Sequence, residues 1–390
     1  MKKGIKIGVL SDTHEDDVGA IPHIVRQFKK REVEVVVHCG DIIPEHVALL
    51  KKLLGDIPVI CALVQGQTED SLYNLQRPEN WKFTRHGERF VELPDGTWVY
   101  VGHKRPMDFL RQTEEKFNET LADLRMEQEG LRWVFGGHSH IQTLKQGHMV
   151  SLINPGAVSG AISHSYEYAT VDTRNNEVVF CRILPTRDDR ETWSLGVISD
   201  TLDVSHRDST FWSKLAKEFK NRDVKDIIHC GNIDLDDIGR PELTDFTVNY
   251  AIRSDQRRKY QELKKIDGKI PGNWKLIGEG CENPDNGNIV DVRGYRFYVQ
   301  LDLGLELMKI SELGMDSLAT AICRKYPETK VLLCGFTREA LFVEGEHVTT
   351  INPGDANKGR RYAVICYPRN ECTFGHVPVD PLPEITETDK

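Results

Sequence analysis

The pattern of apolar and polar positions opens with a short apolar run at Lys6–Leu10 that reads as a β-strand. Ile21, Ile24, Val25 and Phe28 then fall at helical spacing, so a helix with one apolar stripe follows it. Residues 33–39, VEVVVHC, form an almost unbroken β-branched run, the pattern of a strand covered on both faces. IPVICALV at 57–64 is a second such strand, and GTWVYV at 96–101 follows an Asp-Gly turn and reads as a third. From Met107 to Glu129 the positions of Phe109, Leu110, Phe117, Leu121 and Leu124 predict one long amphipathic helix. A turn at Asn175–Asn176 between apolar runs predicts a hairpin of antiparallel strands. Strands alternating with helices give an α/β core.

The pattern is written twice. GVLSDTH (8–14) returns as GVISDTL (196–202), and HCGDI (38–42) as HCGNI (229–233). FGGHSH (135–140) matches LCGFTR (333–338), INPGA (153–157) matches INPGD (351–355), and YATVDTRNNEVVF (168–180) is echoed by YAVICYPRNECTF (362–374). The order is kept, at an offset of 188 to 198 residues. That period is far too long for a solenoid and points to a duplicated domain. The expected domains are residues 1–187 and 192–378, joined through the charged stretch Thr186–Glu191. Residues 379–390 are rich in proline and acid and are expected to be a disordered tail.

Composition narrows the class. The 390 residues are 39% hydrophobic and 28% charged, ordinary for a soluble globular protein of two or three domains. No apolar run is long enough to span a membrane, and Lys6 interrupts the N-terminal run before it could form a signal-peptide core. Nine scattered cysteines give no disulfide framework and suggest a reducing, cytoplasmic compartment. A net charge of −9 argues against nucleic acid as a partner. The basic run Arg253–Lys265 reads as an exposed helix face balanced by Glu262. The charge does not exclude an anionic substrate, because bound cations can supply a local positive field.

The informative polar residues stand just beyond the strands. Asp12 and His14 follow the first, Asp41 the second and Gln67 the third; His103 follows TWVYVG, and His138 and His140 follow LRWVFGG. In open α/β sheets ligands bind outside the carboxyl ends of the strands, so these seven donors are expected to converge on one edge. Carboxylates, an amide oxygen and imidazoles together suit manganese, iron, zinc or nickel. Asp-x-His and His-x-His put alternate side chains on the same side of an extended segment. Each fragment alone is weak: SDTH suits a turn with a capping Asp, and Asp41 suits the N-cap of the helix PEHVALLKKLL.

The ordered set resembles the calcineurin-like metallophosphoesterase superfamily, nearest its small bacterial and archaeal phosphodiesterases. A close cousin in that group is a retromer subunit that serves as a binding scaffold. The resemblance covers residues 5–185 and, degraded, 194–378. It implies two tandem domains, each an αββα sandwich of mixed sheets flanked by helices. It also implies two divalent metal ions: Asp12, His14 and His140 on the first, Asp41 bridging both, and His138 on the second with Gln67 and His103. Asp41 and His138 would then carry catalysis, Asp41 by setting the spacing of the ions and His138 by lying near the transferring group. Two departures fall on the second metal. Gln67 stands where the family has Asn, and His103 follows Gly102 where the family's middle His precedes a Gly. Anchoring on Gly102 would put Val101 in that slot; anchoring on Asp95-Gly96 puts His103 there, and the second anchor is preferred. The implied activity is hydrolysis of a small phosphate ester, phosphodiesters ahead of monoesters, by a water activated between the metals. The alternative is a weakly catalytic or non-catalytic scaffold on the same fold.

In the second copy Asp200 survives, but Asn232 replaces Asp41, and Leu202, Leu301, Phe336 and Arg338 replace the four histidines. That half is expected to hold no metal. Arg338 either fills the charge role beside Asp200 or faces solvent. Such a half is left to contacts within the chain or with other molecules.

Overall fold

Local patterning is realised as strands and helices in the computed structural model of the chain. It describes residues 4–13, 19–64, 79–84, 89–110, 112–147, 149–159, 166–183, 191–266, 270–278, 288–300, 322, 324–335, 339–344, 348–368 and 371–378. The first half runs β1 (Lys6–Leu10), α1 (Ala20–Lys30), β2 (Val35–His38), α2 (Pro44–Leu54), β3 (Val59–Ala62), β4 (Trp81–Thr84), β5 (Phe90–Glu92), β6 (Trp98–Val101), α3 (Arg105–Leu110), α4 (Glu114–Glu127), β7 (Leu131–Phe135), β8 (Gln142–Gln146), β9 (Ser151–Pro155), β10 (Tyr166–Asp172) and β11 (Glu177–Ile183). The expected long helix over 107–129 is divided into α3 and α4. Thr113 takes a non-helical backbone at the break, and its hydroxyl accepts from the Lys116 N–H as an N-cap.

The second half runs β12 (Trp193–Ile198), α5 (Val204–Arg207), α6 (Phe211–Asn221), β13 (Val224–His229), β14 (Thr247–Tyr250), α7 (Arg257–Lys264), β15 (Trp274–Leu276), β16 (Ile289–Val292), β17 (Tyr295–Gln300), β18 (Thr329–Cys334), β19 (Leu341–Glu344), β20 (Thr349–Asn352), β21 (Arg361–Tyr367) and β22 (Glu371–His376). No helix among the described residues is long and apolar enough to cross a membrane. The expected tail, 379–390, lies outside the described residues.

Two large mixed sheets result. One has 12 strands in the order β15-β14-β13-β12-β21-β22-β11-β10-β1-β2-β3-β4; the other has 10, in the order β16-β17-β18-β20-β19-β8-β9-β7-β6-β5. Both change halves at a single antiparallel pairing. In the larger sheet β11 meets β22, with Val178 opposite Phe374 and Phe180 opposite Cys372. In the smaller, β8 meets β19, with Leu144 opposite Phe342. Outward from either seam the strand order is the same in both directions. Strands that would otherwise end a sheet with unpaired backbone groups are thereby paired.

Period-2 alternation explains the layers. Ile7, Val9, Val35 and Val37 point between the sheets, where they join Val99, Val101, Trp133 and Phe135 in one buried cluster. Leu10 and Val36 point the other way, into a second cluster with Ile21, Ile24 and Phe28 of α1. A side chain at Gly8 would meet the Phe28 ring at 2.7 Å, and one at Gly196 would meet Phe219 at 2.8 Å, so glycine lets each helix lie directly on its strand. The inter-sheet cluster runs across the seam. Phe342 stacks on Phe180 at 4.6 Å between ring centroids and meets Phe374 edge-on at 6.0 Å. Ion pairs cross it reciprocally, from Arg31 behind α1 to Glu371 and from Arg222 behind α6 to Glu177.

Candidate metal centre

The turns beyond β1 and β2 are held together before any functional side chain is considered. Asp12 N donates to Gly40 O at 3.1 Å, and Thr13 N to Asp41 O at 3.0 Å. His38, fully buried, clamps the same two turns. Its Nδ1 accepts from Gly40 N at 3.1 Å, which leaves the proton on Nε2 to donate to Thr13 Oγ1, also at 3.1 Å. Burial pushes this imidazole down to about 3, so it is neutral.

The side chains that these turns aim come from both sheets, at the carboxyl ends of β1, β2, β6 and β7. Asp12, Asp41, His138 and His140 all have left-handed backbones, with φ of 54°, 57°, 71° and 56°. That region is sparse for non-glycine residues, and its clustering here marks a place where tertiary structure holds the chain against local preference. Gly137 makes the closest approach. A Cβ there would fall 1.8 Å from Ser11 Oγ and 2.9 Å from Asp12 Oδ2, so only glycine brings this loop onto the aspartate.

Asp12 is fully buried. Its Oδ2 accepts from the His138 N–H at 3.0 Å. Its Oδ1 lies 3.2 Å from His140 Nε2 and 3.7 Å from His103 Nε2, yet it is a buried oxygen without a hydrogen-bond partner. His103 Nδ1 lies 3.1 Å from Cys39 O and so carries the proton, which turns the Nε2 lone pair toward the carboxylate. Asp12, Asp41 and His103 each present a ligand atom, all within 4.8 Å of one another. His138, exposed at the mouth, faces His103 at 5.2 Å between ring centroids.

Electrostatics agree with this geometry. Burial opposes ionisation of Asp12, but His140 and His103 beside it hold its carboxyl below the ordinary value. Burial lowers His103, against the pull of Asp12, so its imidazole is neutral near pH 7. Deprotonated carboxylates and neutral imidazoles are the forms that ligate metals. An orphaned carboxylate oxygen facing two imidazole nitrogens and a second carboxylate fits a divalent cation with oxygen and nitrogen ligands.

Of the seven expected donors, the structure brings Asp12, Asp41, His103, His138 and His140 to one edge, while His14 and Gln67 lie outside the described residues. Sequence reasoning passed over two supporting residues. His38 is one; the other is Asn154, buried, whose Nδ2 donates to Gly137 O at 3.2 Å and Ser139 Oγ at 2.7 Å and whose Oδ1 accepts from Gly156 N at 3.0 Å. Their signal was the double occurrence of HCG and INPG.

The second half keeps this framework. Asp200 N donates to Gly231 O at 3.1 Å, as Asp12 N does to Gly40 O, while the bond to Asn232 O comes from Leu202 N at 3.0 Å, one residue further along than Thr13 in the first half. His229 repeats the clamp between Gly231 N and Thr201 Oγ1. Asp200 and Asn232 keep left-handed backbones, at 57° and 56°. At the centre, Asn232 Nδ2 donates to Asp200 Oδ1 at 3.0 Å, and Ser199 Oγ donates to Oδ2 at 2.7 Å. Leu301, Phe336 and Arg338 lie outside the described residues.

Residues 5–176 match the model of the Calcineurin-like phosphoesterase superfamily domain. Among solved structures, an archaeal phosphodiesterase aligns at 22% identity and a TM-score of 0.35, covering 46% of this chain and all of its own. A Streptococcus pneumoniae protein regarded as a phosphoesterase aligns at 18% identity and 0.31, covering 47% of this chain and 91% of its own. Vacuolar Protein Sorting 29 from Cryptosporidium parvum aligns at 17% identity and 0.34, covering 48% and 94%. Alignments this loose carry no functional weight. A search of curated proteins finds no match.

Proposed function

We propose that the first half is a metal-dependent phosphoesterase acting on small phosphate esters, phosphodiesters ahead of monoesters. The observation that carries this reading is Asp12 Oδ1, buried and without a hydrogen-bond partner, facing His140 and His103 beside Asp41. The match of residues 5–176 to a phosphoesterase domain supports it. Two divalent cations there would polarise a phosphate and lower the pKa of water.

The chain's own residues then divide the work. Asp12 and Asp41 supply negative charge at the edge of the sheet, and Asp41 would help to hold the cations and offset their mutual repulsion. His103 offers a neutral nitrogen, with His140, His14 and Gln67 as further ligands. His138, at the exposed mouth, is the group placed to meet the phosphoryl oxygens. Cytoplasmic placement belongs to the same reading, supported by seven cysteines outside any disulfide among the described residues.

The whole chain reads as a tandem duplication, domains 1–187 and 192–378, whose second member holds no metal. The repeated sequence blocks, the matching strand order on either side of the seams and the duplicate histidine clamps support that reading.

The test is metal analysis of the purified chain together with turnover of an aryl phosphodiester in added Mn²⁺. Bound metal with turnover that Asp41→Asn removes is the expected result. If metal and turnover are both missing, and Asp41→Asn changes nothing, the chain is a scaffold.

A further inference from the structure

The turns around Asp12 and Asp41 recur around Asp200 and Asn232 with the same bond from the aspartate N–H to a glycine carbonyl, but the Oδ1 oxygen of the aspartate is satisfied differently in the two halves. In the first half the Asp12 Oδ1 oxygen has no hydrogen-bond partner and lies 3.7 Å from His103 Nε2, and Asp12, His103 and Asp41 each present a ligand atom within 4.8 Å of the others. In the second half the matching oxygen, Asp200 Oδ1, accepts from the Asn232 amide at 3.0 Å, and Oδ2 accepts from Ser199 at 2.7 Å. Asp200 is only 8% exposed, so water does little to spread its charge.

Two carboxylates brought together in such a place cannot both stay ionised without a cation or a proton between them. An amide changes that balance. It is neutral, keeps the size and branching of the carboxylate, and places an N–H dipole where positive charge is required. It also leaves the backbone undisturbed, since Asn is among the few residues that tolerate the left-handed region at position 232.

We propose that the Asn232 side chain is an internal replacement for a divalent cation, which lets the second half keep a metal-site loop without metal. The inference rests on reading the first-half centre as a metal site. It assigns a role to one atom group: restoring the carboxylate at 232 would recreate a demand for a cation, and placing the amide at 41 would remove one.

Thermal unfolding of the full chain tests this, in EDTA and across a series of Mn²⁺ concentrations. In EDTA, Asn232→Asp is expected to melt lower than the wild type by roughly 4 °C or more, the scale of a lost buried interaction in a chain of this size. Added Mn²⁺ should raise Asn232→Asp by more than it raises the wild type. Asn232→Ala, which loses the donor without adding charge, should melt lower but respond to Mn²⁺ only as the wild type does. An Asn232→Asp protein that matches the wild type in EDTA, or loses equally with and without Mn²⁺, overturns the proposal. If Asn232→Asp yields no soluble protein, Asp41→Asn decides: it should melt above the wild type in EDTA, and melting at or below it overturns the proposal. These melts in EDTA are separate from metal content and turnover, so failure of the phosphoesterase reading is seen independently.

Discussion

Asn232 Nδ2 lies 3.0 Å from Asp200 Oδ1 and donates to it, while at the matching place in the first half Asp41 brings a second carboxylate toward Asp12. The difference between HCGDI and HCGNI thus puts an amide donor on Asp200 Oδ1 where the first half sets a second carboxylate near Asp12. What remains common, the His clamp and the left-handed turn, is the framework on which either centre is built.

Removing the charge at Asp41 should abolish the first-half centre. Asp41→Asn is expected to lower phosphodiester turnover by more than about 100-fold, beyond what the loss of an outer-shell partner costs. It should also release bound metal, as read by elemental analysis of the desalted protein. Retention of both would remove Asp41 from the centre.

Acid should weaken metal binding later than ordinary histidine titration suggests. Asp12 and His103 both have lowered values, so protons compete with the cation only at lower pH. Metal retention is expected to persist to about pH 6, below the ordinary histidine value of about 6.5. Release that is complete by pH 7 in an equilibrium dialysis series would contradict this.

His38 and His229 should make the fold acid-labile. Each is buried and pushed down to about 3, against about 6.5 in an unfolded chain. Above about pH 6.5 neither state binds the proton, and the two histidines have no effect on the pH dependence. Between about 6.5 and 3 the unfolded state binds it and the folded state does not, so stability falls by about 1.4 kcal/mol per pH unit for each histidine. Denaturant titrations from pH 7 to pH 4 should show this slope, and His229→Asn, which keeps an acceptor for Gly231 N–H, should reduce it. An identical slope in the variant would show that His229 does not set it.

The seam should bind the halves into one cooperative unit. Phe342, 1% exposed, stacks on Phe180 of the other half. Phe342→Ala is expected to cost about 3–5 kcal/mol, and calorimetry should show the whole transition moving down together. A transition that splits, leaving one component at its original temperature, would show that the halves unfold independently.

The sequence by itself determined much of this. The apolar periodicity placed β1, α1, β2 and β3, and the ordered polar set offered seven donors, of which Asp12, Asp41, His103, His138 and His140 stand at one edge and His14 and Gln67 lie outside the described residues. Those are local signals, readable wherever a strand ends in a polar turn. Two choices were not local. Whether Val101 or His103 entered the site depended on the anchor chosen, and only the folded loop, with His103 Nδ1 against Cys39 O, puts that ring beside Asp12. The union of both halves into two continuous sheets was likewise invisible, because the β11–β22 and β8–β19 pairings join strands far apart in the chain, and strand pattern carries no record of its partner. Tertiary structure alone decided which oxygen was left unsatisfied: hydrogen bonding in the interior depends on what packs alongside, and Asp12 and Asp200 have the same neighbours in sequence but different ones in space.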